Sequence, residues 1–231
     1  MVIGVVLVCL ASVLIALAIY PGELSWLSPR LHAQLYDGAA ADYERKWLRH
    51  DYTVYDQFLS TYSTEVSRKT TGSLSVLDLC AGTGRATGVM AATLAADTHF
   101  VCVDASAGML KILRNRLART GLLPGQLQVF CEDAGQWLAH NEARFHLVAM
   151  MECSEFLPRF PDLLGQLSKH LEPGAIVVTT RPAGFFAWLF PLRGQRAGSY
   201  HRLFFRHGFS LILDKPWRGR YRLVAWQFNG H

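Results

Sequence analysis

The sequence predicts an α/β fold: a mostly parallel sheet with helices on both faces, closed by an antiparallel hairpin. Three observations carry this. From Ser75 onward, short apolar runs alternate with stretches of helical periodicity. A glycine-rich turn, "LCAGTG", separates the first such run from the first helical stretch. The C-terminal "FSLILDKPWRGRYRLVAWQF" reads as two strands around a turn.

The chain begins with "MVIGVVLVCLASVLIALAIY", residues 1–20, which carries no charge and no proline. As a helix, about twenty residues at ~1.5 Å each span ~30 Å, the thickness of a bilayer's hydrocarbon core. There is no basic leader before the run, and "AIYPGEL" offers no small-residue cleavage pattern. A core helix would show a polar face, and this run has none. An uncleaved transmembrane helix is therefore expected. Arg30, Arg45, Lys46 and Arg49 follow it and no Lys or Arg precedes it, so the remainder is expected in the cytosol: a single-pass membrane protein.

Residues 21–73 read as a connector with helical patches, in which "YDGAAADYERKWLRHDYTVYDQFLSTYSTEV" mixes aromatic and charged residues at helical spacing. Residues 74–231 form the domain. Strands are expected at 75–80, 98–103, 126–131, 145–151 and 174–180, each short, apolar and rich in β-branched or aromatic residues. Helices are expected between them at 85–96, 106–119, 134–141 and 160–171. Alternation of this kind builds a parallel sheet covered on both faces.

Composition narrows the function. The net charge is +5, but no Lys/Arg run is long enough for a nucleic-acid arm, so no nucleic-acid partner is expected. A mild basic excess suits an ordinary surface or contact with anionic lipid. The five cysteines are scattered without a CxxC pair or a His-paired spacing. They read as small buried residues of a reducing compartment, and no metal site is expected.

The glycine turn poses the chemical question: does it hold a ligand with phosphates or one without? Asp78, Asp104 and Asp133 stand at or just past the ends of successive expected strands. Ligands of open α/β sheets bind outside these carboxyl ends, so the three acids should face one crevice. Gly82 and Gly84 let the backbone come close. Asp104 is placed to accept the hydroxyls of a ribose, which alone would fit NAD. Two features oppose a dinucleotide. Thr87 stands where the dinucleotide pattern has its third Gly or Ala, and Asp78 would crowd a pyrophosphate. A ligand with a ribose, an adenine and a positive end suits the charge better, and S-adenosylmethionine has these parts. Each acid also has a plainer role as a helix cap, Asp133 before "AGQWLAH" above all.

The ordered stretches "VLDLCAGTGRAT", "VCVDASAGML", "VFCEDAGQW", "HLVAMMECSEFLP" and "LEPGAIVVTTRP" resemble the motifs of class I S-adenosylmethionine-dependent methyltransferases over about residues 74–228. The "DASxxML" pattern is similar to the branch that includes quinone-biosynthesis and other small-molecule enzymes. The resemblance implies a Rossmann-like seven-stranded sheet with an antiparallel last strand, and S-adenosylmethionine as cofactor. It carries cofactor contacts to Asp78, Gly82, Gly84, Asp104, Met109 and Asp133, with Cys80, Ala81, Ala105 and Ala134 beside them on the same turns. Cys80 departs from the family, which commonly has its first glycine there. "YDGAAADYERK" resembles that branch's N-terminal lid, with Tyr36 and Tyr43 as lid residues.

Methyl transfer rests largely on positioning, and a base is needed only where the acceptor arrives protonated. Glu152, in "MMECSEF" at the end of the fourth strand, is the candidate acceptor-side catalytic group, against a structural strand-end role. Cys153 reads as core and His146 as a surface residue before a strand. "PAGFFAWLFPLRGQR", residues 182–196, reads either as core packing or as an acceptor wall or membrane-contacting lip. The expected function is methyl transfer to a small, lipidic acceptor at the cytosolic membrane face. An NAD-dependent oxidoreductase and a non-catalytic cofactor-binding scaffold stay open as alternatives.

Overall fold

A computed structural model of the chain describes residue 12 and residues 29–47, 51–123, 125–157, 159–184, 187 and 197–230. In chain order the elements are α1 (Pro29–Trp47), α2 (Thr53–Lys69), β1 (Ser75–Leu79), α3 (Arg85–Thr93), β2 (His99–Asp104), α4 (Ala107–Leu117), β3 (Leu127–Cys131) and α5 (Ala134–His140). They continue with β4 (Phe145–Met150), α6 (Phe160–Leu167), β5 (Leu171–Pro182), α7 (Ala197–Arg206), β6 (Phe209–Trp217) and β7 (Tyr221–Phe228). The seven strands form one sheet in the order β3-β2-β1-β4-β5-β7-β6. β1 pairs in parallel with β2 and β4, while β7 runs antiparallel to β5 and β6. The sequence-based fold therefore stands, with the reversed last strand lying inside the sheet and β6 at its edge.

Among the described residues no helix is long and apolar enough to cross a membrane. The apolar run 1–20, expected as an anchor, lies outside the described residues except for Ser12.

Two apolar layers sandwich the sheet. On one face, α2 and α3 bring Tyr55, Phe58, Leu59, Tyr62, Val66 and Met90 onto Val76, Ile176, Val178 and Leu223. On the other, α5, α6 and α7 bring Trp137, Leu164, Tyr200 and Phe204 onto Val148, Val177, Val224 and Trp226. Each such side chain contributes roughly 1.5–3 kcal/mol on burial before its ordering cost. The stretch expected as a connector thus supplies a helix that closes one sheet face. Helix α7 was not anticipated. Its turn-by-turn residues Tyr200 and Phe204 reach Trp226, Phe204 stacking on it at 4.2 Å between ring centroids.

Some single-residue expectations change. Cys102 and Cys153 are buried, but Cys131 is exposed, because β3 is an edge strand. His146 lies within β4 rather than before it, and its Nδ1 accepts the Ser75 N–H at 3.2 Å.

Candidate active site

The chain leaves β1 toward β2 and β3 on one side and returns to β4 on the other. Where the order reverses, the strand ends part and a crevice opens. The turn after β1 shapes its floor. Cys80, Gly82 and Gly84 have φ of 64°, 53° and 76°. A left-handed cysteine is uncommon, and a site that holds one is worth reading as functional. Gly84 is required twice over: its φ is positive, and a Cβ there would sit 2.7 Å from Leu113 Cγ. Gly84 packs against α4 in this way and is not among the residues that line the crevice.

The crevice is lined by Asp78, Cys80, Ala81, Gly82, Asp104, Ala105, Met109, Asp133 and Ala134, nine of the ten residues expected to contact a cofactor. Asp78 is buried, and its Oδ2 accepts the Thr87 N–H at 3.1 Å and the Thr87 hydroxyl at 2.5 Å. It therefore caps α3 while also lining the crevice. Burial raises its pKa to about 6, against the two Thr87 hydrogen bonds and with help from Asp104. Asp104 accepts the Gly82 N–H and the Ser106 N–H, both at 2.8 Å, and burial raises its carboxyl as well. Asp133 caps α5 through the Gly135 and Gln136 N–H groups. All three acids thus accept backbone N–H groups while also lining the crevice.

These bonds answer the phosphate question. A phosphate held at a glycine turn needs free backbone N–H groups. Here Ala81 donates to Val103 O, Gly82 to Asp104, Gly84 to Ala81 O and Thr87 to Asp78. Two of the four are spent on carboxylates that would repel an anion. Asp78, Asp104, Glu132 and Asp133 all line the crevice, a set of acceptors that fits hydroxyl, amine and cationic groups.

The far side is aromatic. Tyr36 and Tyr43 of α1, Tyr52 and Tyr55 at α2, and Phe156 line it together with Met151 and Leu157. Tyr36 packs on Tyr43 and on Phe156, each with ring centroids 6.3 Å apart. Burial, with nearby carboxylates, raises the pKa of both phenols, so they are neutral at pH 7. Helix α1 is latched in place at one point. Asp37 Oδ1 accepts the Ser106 hydroxyl at 2.6 Å and the Gly108 N–H at 2.8 Å. A Cβ at Gly108 would stand 3.1 Å from the Asp37 backbone, so the glycine permits this approach.

Glu152 follows β4 with φ 54°, and its N–H donates to Thr180 Oγ1 at 2.5 Å. Its carboxylate lines the crevice, with Arg218 Nη1 at 3.8 Å, beyond hydrogen-bond reach. Burial raises its pKa, while Arg218 and Arg85 oppose the rise. The guanidinium carbons of Arg85 and Arg218 lie 3.7 and 4.0 Å from the Tyr52 ring centroid. Arg85 also grips both oxygens of Asp56 at 3.0 and 2.8 Å. Behind this wall the buried Glu155 accepts the Tyr221 hydroxyl at 2.6 Å, and burial raises its pKa to about 7. Cys153 is buried beside it, as expected.

Several of these residues escaped the sequence reading. Arg85 left a signal, since a cation at a helix N-terminus opposes the helix dipole and needs a partner. Glu132 could have been found as half of an adjacent acid pair. Asp37 and Glu155 left none, because their partners are remote in sequence. Of the aromatic stretch 182–196, only residues 182–184 and 187 are described, and Ala187 is buried.

Fold and crevice together define a doubly wound α/β protein whose site suits a nucleoside carrying a cationic rather than a phosphorylated end. Comparison with known proteins makes this specific. Residues 76–174 match the family described as methyltransferase domain. Demethylmenaquinone methyltransferases from two strains of Leptospira interrogans are 28% identical over 112 residues, 48% of this chain and 44% of theirs. The chain thus spans less than half the length of those relatives. Among solved structures, magnesium protoporphyrin IX methyltransferase from Synechocystis, with S-adenosylmethionine bound, superposes with a TM-score of 0.57. It is 13% identical, over 75% of this chain and 79% of that one. An S-adenosylmethionine-dependent methyltransferase from Clostridium acetobutylicum gives 0.61 at 14% identity, over 82% of this chain and 98% of that one. Residues 76–174 thus resemble a methyltransferase domain, and the fold is the one shared by these S-adenosylmethionine-dependent methyltransferase structures.

Proposed function

We propose that this protein transfers the methyl group of S-adenosylmethionine to a small apolar acceptor, and that it works at the cytosolic face of a membrane. One observation carries the chemical half of this reading. A single crevice joins a carboxylate-lined half, Asp78, Asp104, Glu132 and Asp133, to a half walled by Tyr36, Tyr43, Tyr52 and Phe156. These acceptors fit the cofactor. Asp104 would hold the ribose hydroxyls, Asp78 would face the cationic end, and Met109, Asp133 and Ala134 would bound the adenine. When bound, S-adenosylmethionine supplies an electrophilic methyl group to a nucleophile.

The rest is the work of this chain's residues. The tyrosines exclude water and present flat apolar surface, which favours a ring or chain over a sugar or peptide. Glu152 takes the acceptor's proton where there is one. Its burial-raised carboxyl, with Arg218 at 3.8 Å and no side-chain hydrogen bond among the described residues, leaves it available as a base. The reading is in keeping with the name demethylmenaquinone methyltransferase that the curated relatives carry. The membrane half rests on the uncharged run 1–20 and the basic residues after it.

The test is S-adenosylhomocysteine formation by the full chain given S-adenosylmethionine with either a lipid extract or an aqueous metabolite extract. Turnover with the lipid extract is expected, and Glu152→Gln should lower it on the order of 10²-fold or more while sparing cofactor affinity. Turnover with the aqueous extract alone would reject the apolar acceptor. Cofactor binding without turnover on either would favour a scaffold. Retention in the pellet after carbonate washing tests the membrane half, and release of the intact chain would reject it.

A further inference from the structure

We propose that α7 and the adjoining edge of β6 form a docking surface for an anionic lipid bilayer. Phe205, Leu211 and Ile212 would enter the interface, and Arg202 and Arg206 would meet headgroup phosphates. Three observations converge on this face.

The first is exposed apolar area at one place. Phe205, Leu211 and Ile212 are 52%, 37% and 39% exposed, half of the large hydrophobic residues found exposed among those described. Phe205 and Leu211 flank one residue. The Phe205 ring meets the edge of Trp226 at 5.8 Å, and Leu211 is the cross-strand partner of Trp226. The two therefore lie on the same side of the sheet. Clustered apolar side chains of this kind mark a contact surface, whereas scattered ones do not.

The second is charge. Between Glu172 and Asp214 the sequence has no Asp or Glu, while it has five arginines and two histidines. Arg202 and Arg206, both exposed, stand one turn apart on α7 with Phe205 between them, so all three share one stripe. Among the described residues, Arg202 donates to the Ser199 hydroxyl at 3.3 Å. Among the described residues neither arginine pairs with a carboxylate. The acids nearby in the fold are already engaged. Asp214 is held by Arg181, Arg222 and His201, and Asp162 of α6 by Arg159 at 2.6 Å. Among the described residues the face is thus positive, with no carboxylate paired to either arginine. Rings beside guanidinium groups form the pairing that an anionic bilayer surface selects.

The third is the edge itself. β6 ends the sheet, so one side of its backbone is unpaired beside Leu211 and Ile212. An apolar edge strand invites association unless something covers it. A headgroup layer would cover it without imposing the register that a partner strand would need. The surface lies apart from the crevice, and this inference does not depend on methyl transfer.

The experiment is hydrogen exchange on the full chain with vesicles of phosphatidylcholine alone or with phosphatidylserine added. Amides of residues 199–213 should exchange more slowly with the anionic vesicles only, and added salt should remove the effect. Each arginine contributes about fivefold to the docked population. R202Q/R206Q should therefore return exchange to the phosphatidylcholine rate. That variant should bind S-adenosylhomocysteine like the parent, since neither arginine lines the crevice. Failure of the parent to bind it would count against the methyltransferase reading, not this one. Equal exchange with both vesicles, or protection that survives R202Q/R206Q, overturns the proposal. Protection without lipid that grows with protein concentration also overturns it, and assigns the edge to a second copy of the chain.

Discussion

Asp78 makes the charge of the ligand testable by pH alone. Its carboxyl is raised from an ordinary 3.8 to about 6, with burial as the main cause. In the ligand-free protein this contributes stability that is fully present below pH ~4 and is lost as pH rises through about 6, on the order of 3 kcal/mol. A ligand that brings a positive charge to Asp78 favours the ionised form and lowers that pKa. Its affinity must then rise as pH climbs from about 4.5 to 6 and level off above that range. Full return of the carboxyl to its ordinary value would make the gain on the order of a hundredfold. A phosphate-bearing ligand would show the opposite slope. The assay is titration calorimetry at constant ionic strength from pH 4.5 to 8, with S-adenosylmethionine and S-adenosylhomocysteine. The latter lacks the sulfonium, so the difference between them isolates that charge. Asp78→Asn keeps an oxygen for Thr87 and removes the ionisation, so its profile should be flat and its affinity above pH 7 the weaker. A flat or falling profile for the parent protein, or an unchanged profile for Asp78→Asn, would refute this reasoning.

Two further outcomes follow from the crevice. Asp104→Ala should weaken cofactor binding about 10- to 150-fold, the equivalent of roughly 1.5–3 kcal/mol in charge-assisted hydrogen bonds. It should also lower the melting temperature, because the Gly82 and Ser106 N–H groups lose their acceptor. Calorimetric affinity equal to the parent's would reject the ribose role. Asp37→Ala should speed S-adenosylhomocysteine release by several-fold in stopped flow, with little change in melting temperature, because Asp37 is exposed and its bonds are worth about 1 kcal/mol or less each. An unchanged release rate would mean that α1 does not gate the crevice.

Much of the fold was legible because it rests on local rules. Alternation of apolar strands with amphipathic helices identified β1 to β5 and α3 to α6 within a few residues. The hairpin was recognised from its turn residues. The uncharged run 1–20 and the aromatic stretch 182–196 were equally plain in the sequence as apolar segments, and both lie largely outside the described residues. Helix α7 was missed because its apolar positions, Tyr200 and Phe204, are set among His and Arg residues, and only packing onto the Trp226 face of β7 gives them a purpose.

The sequence by itself determined that the glycine turn and the strand-end acids would line one crevice. Strand ends, glycines and acids follow one another within short stretches, and local backbone rules convert that order into a crevice. Only the tertiary structure decided what each acid does there. Asp78 caps α3, Asp104 ties the glycine turn to α4, and Asp37 reaches across 69 residues to Ser106. It also decided that an aromatic wall from α1 and α2 faces the carboxylates, and that Arg85 and Arg218 both pack on the Tyr52 ring. The physical reason is that these contacts join elements whose separation along the chain is set by packing. Spacing in the sequence carries no record of which side chains will share a low-dielectric site, and there burial, not residue type, sets their protonation.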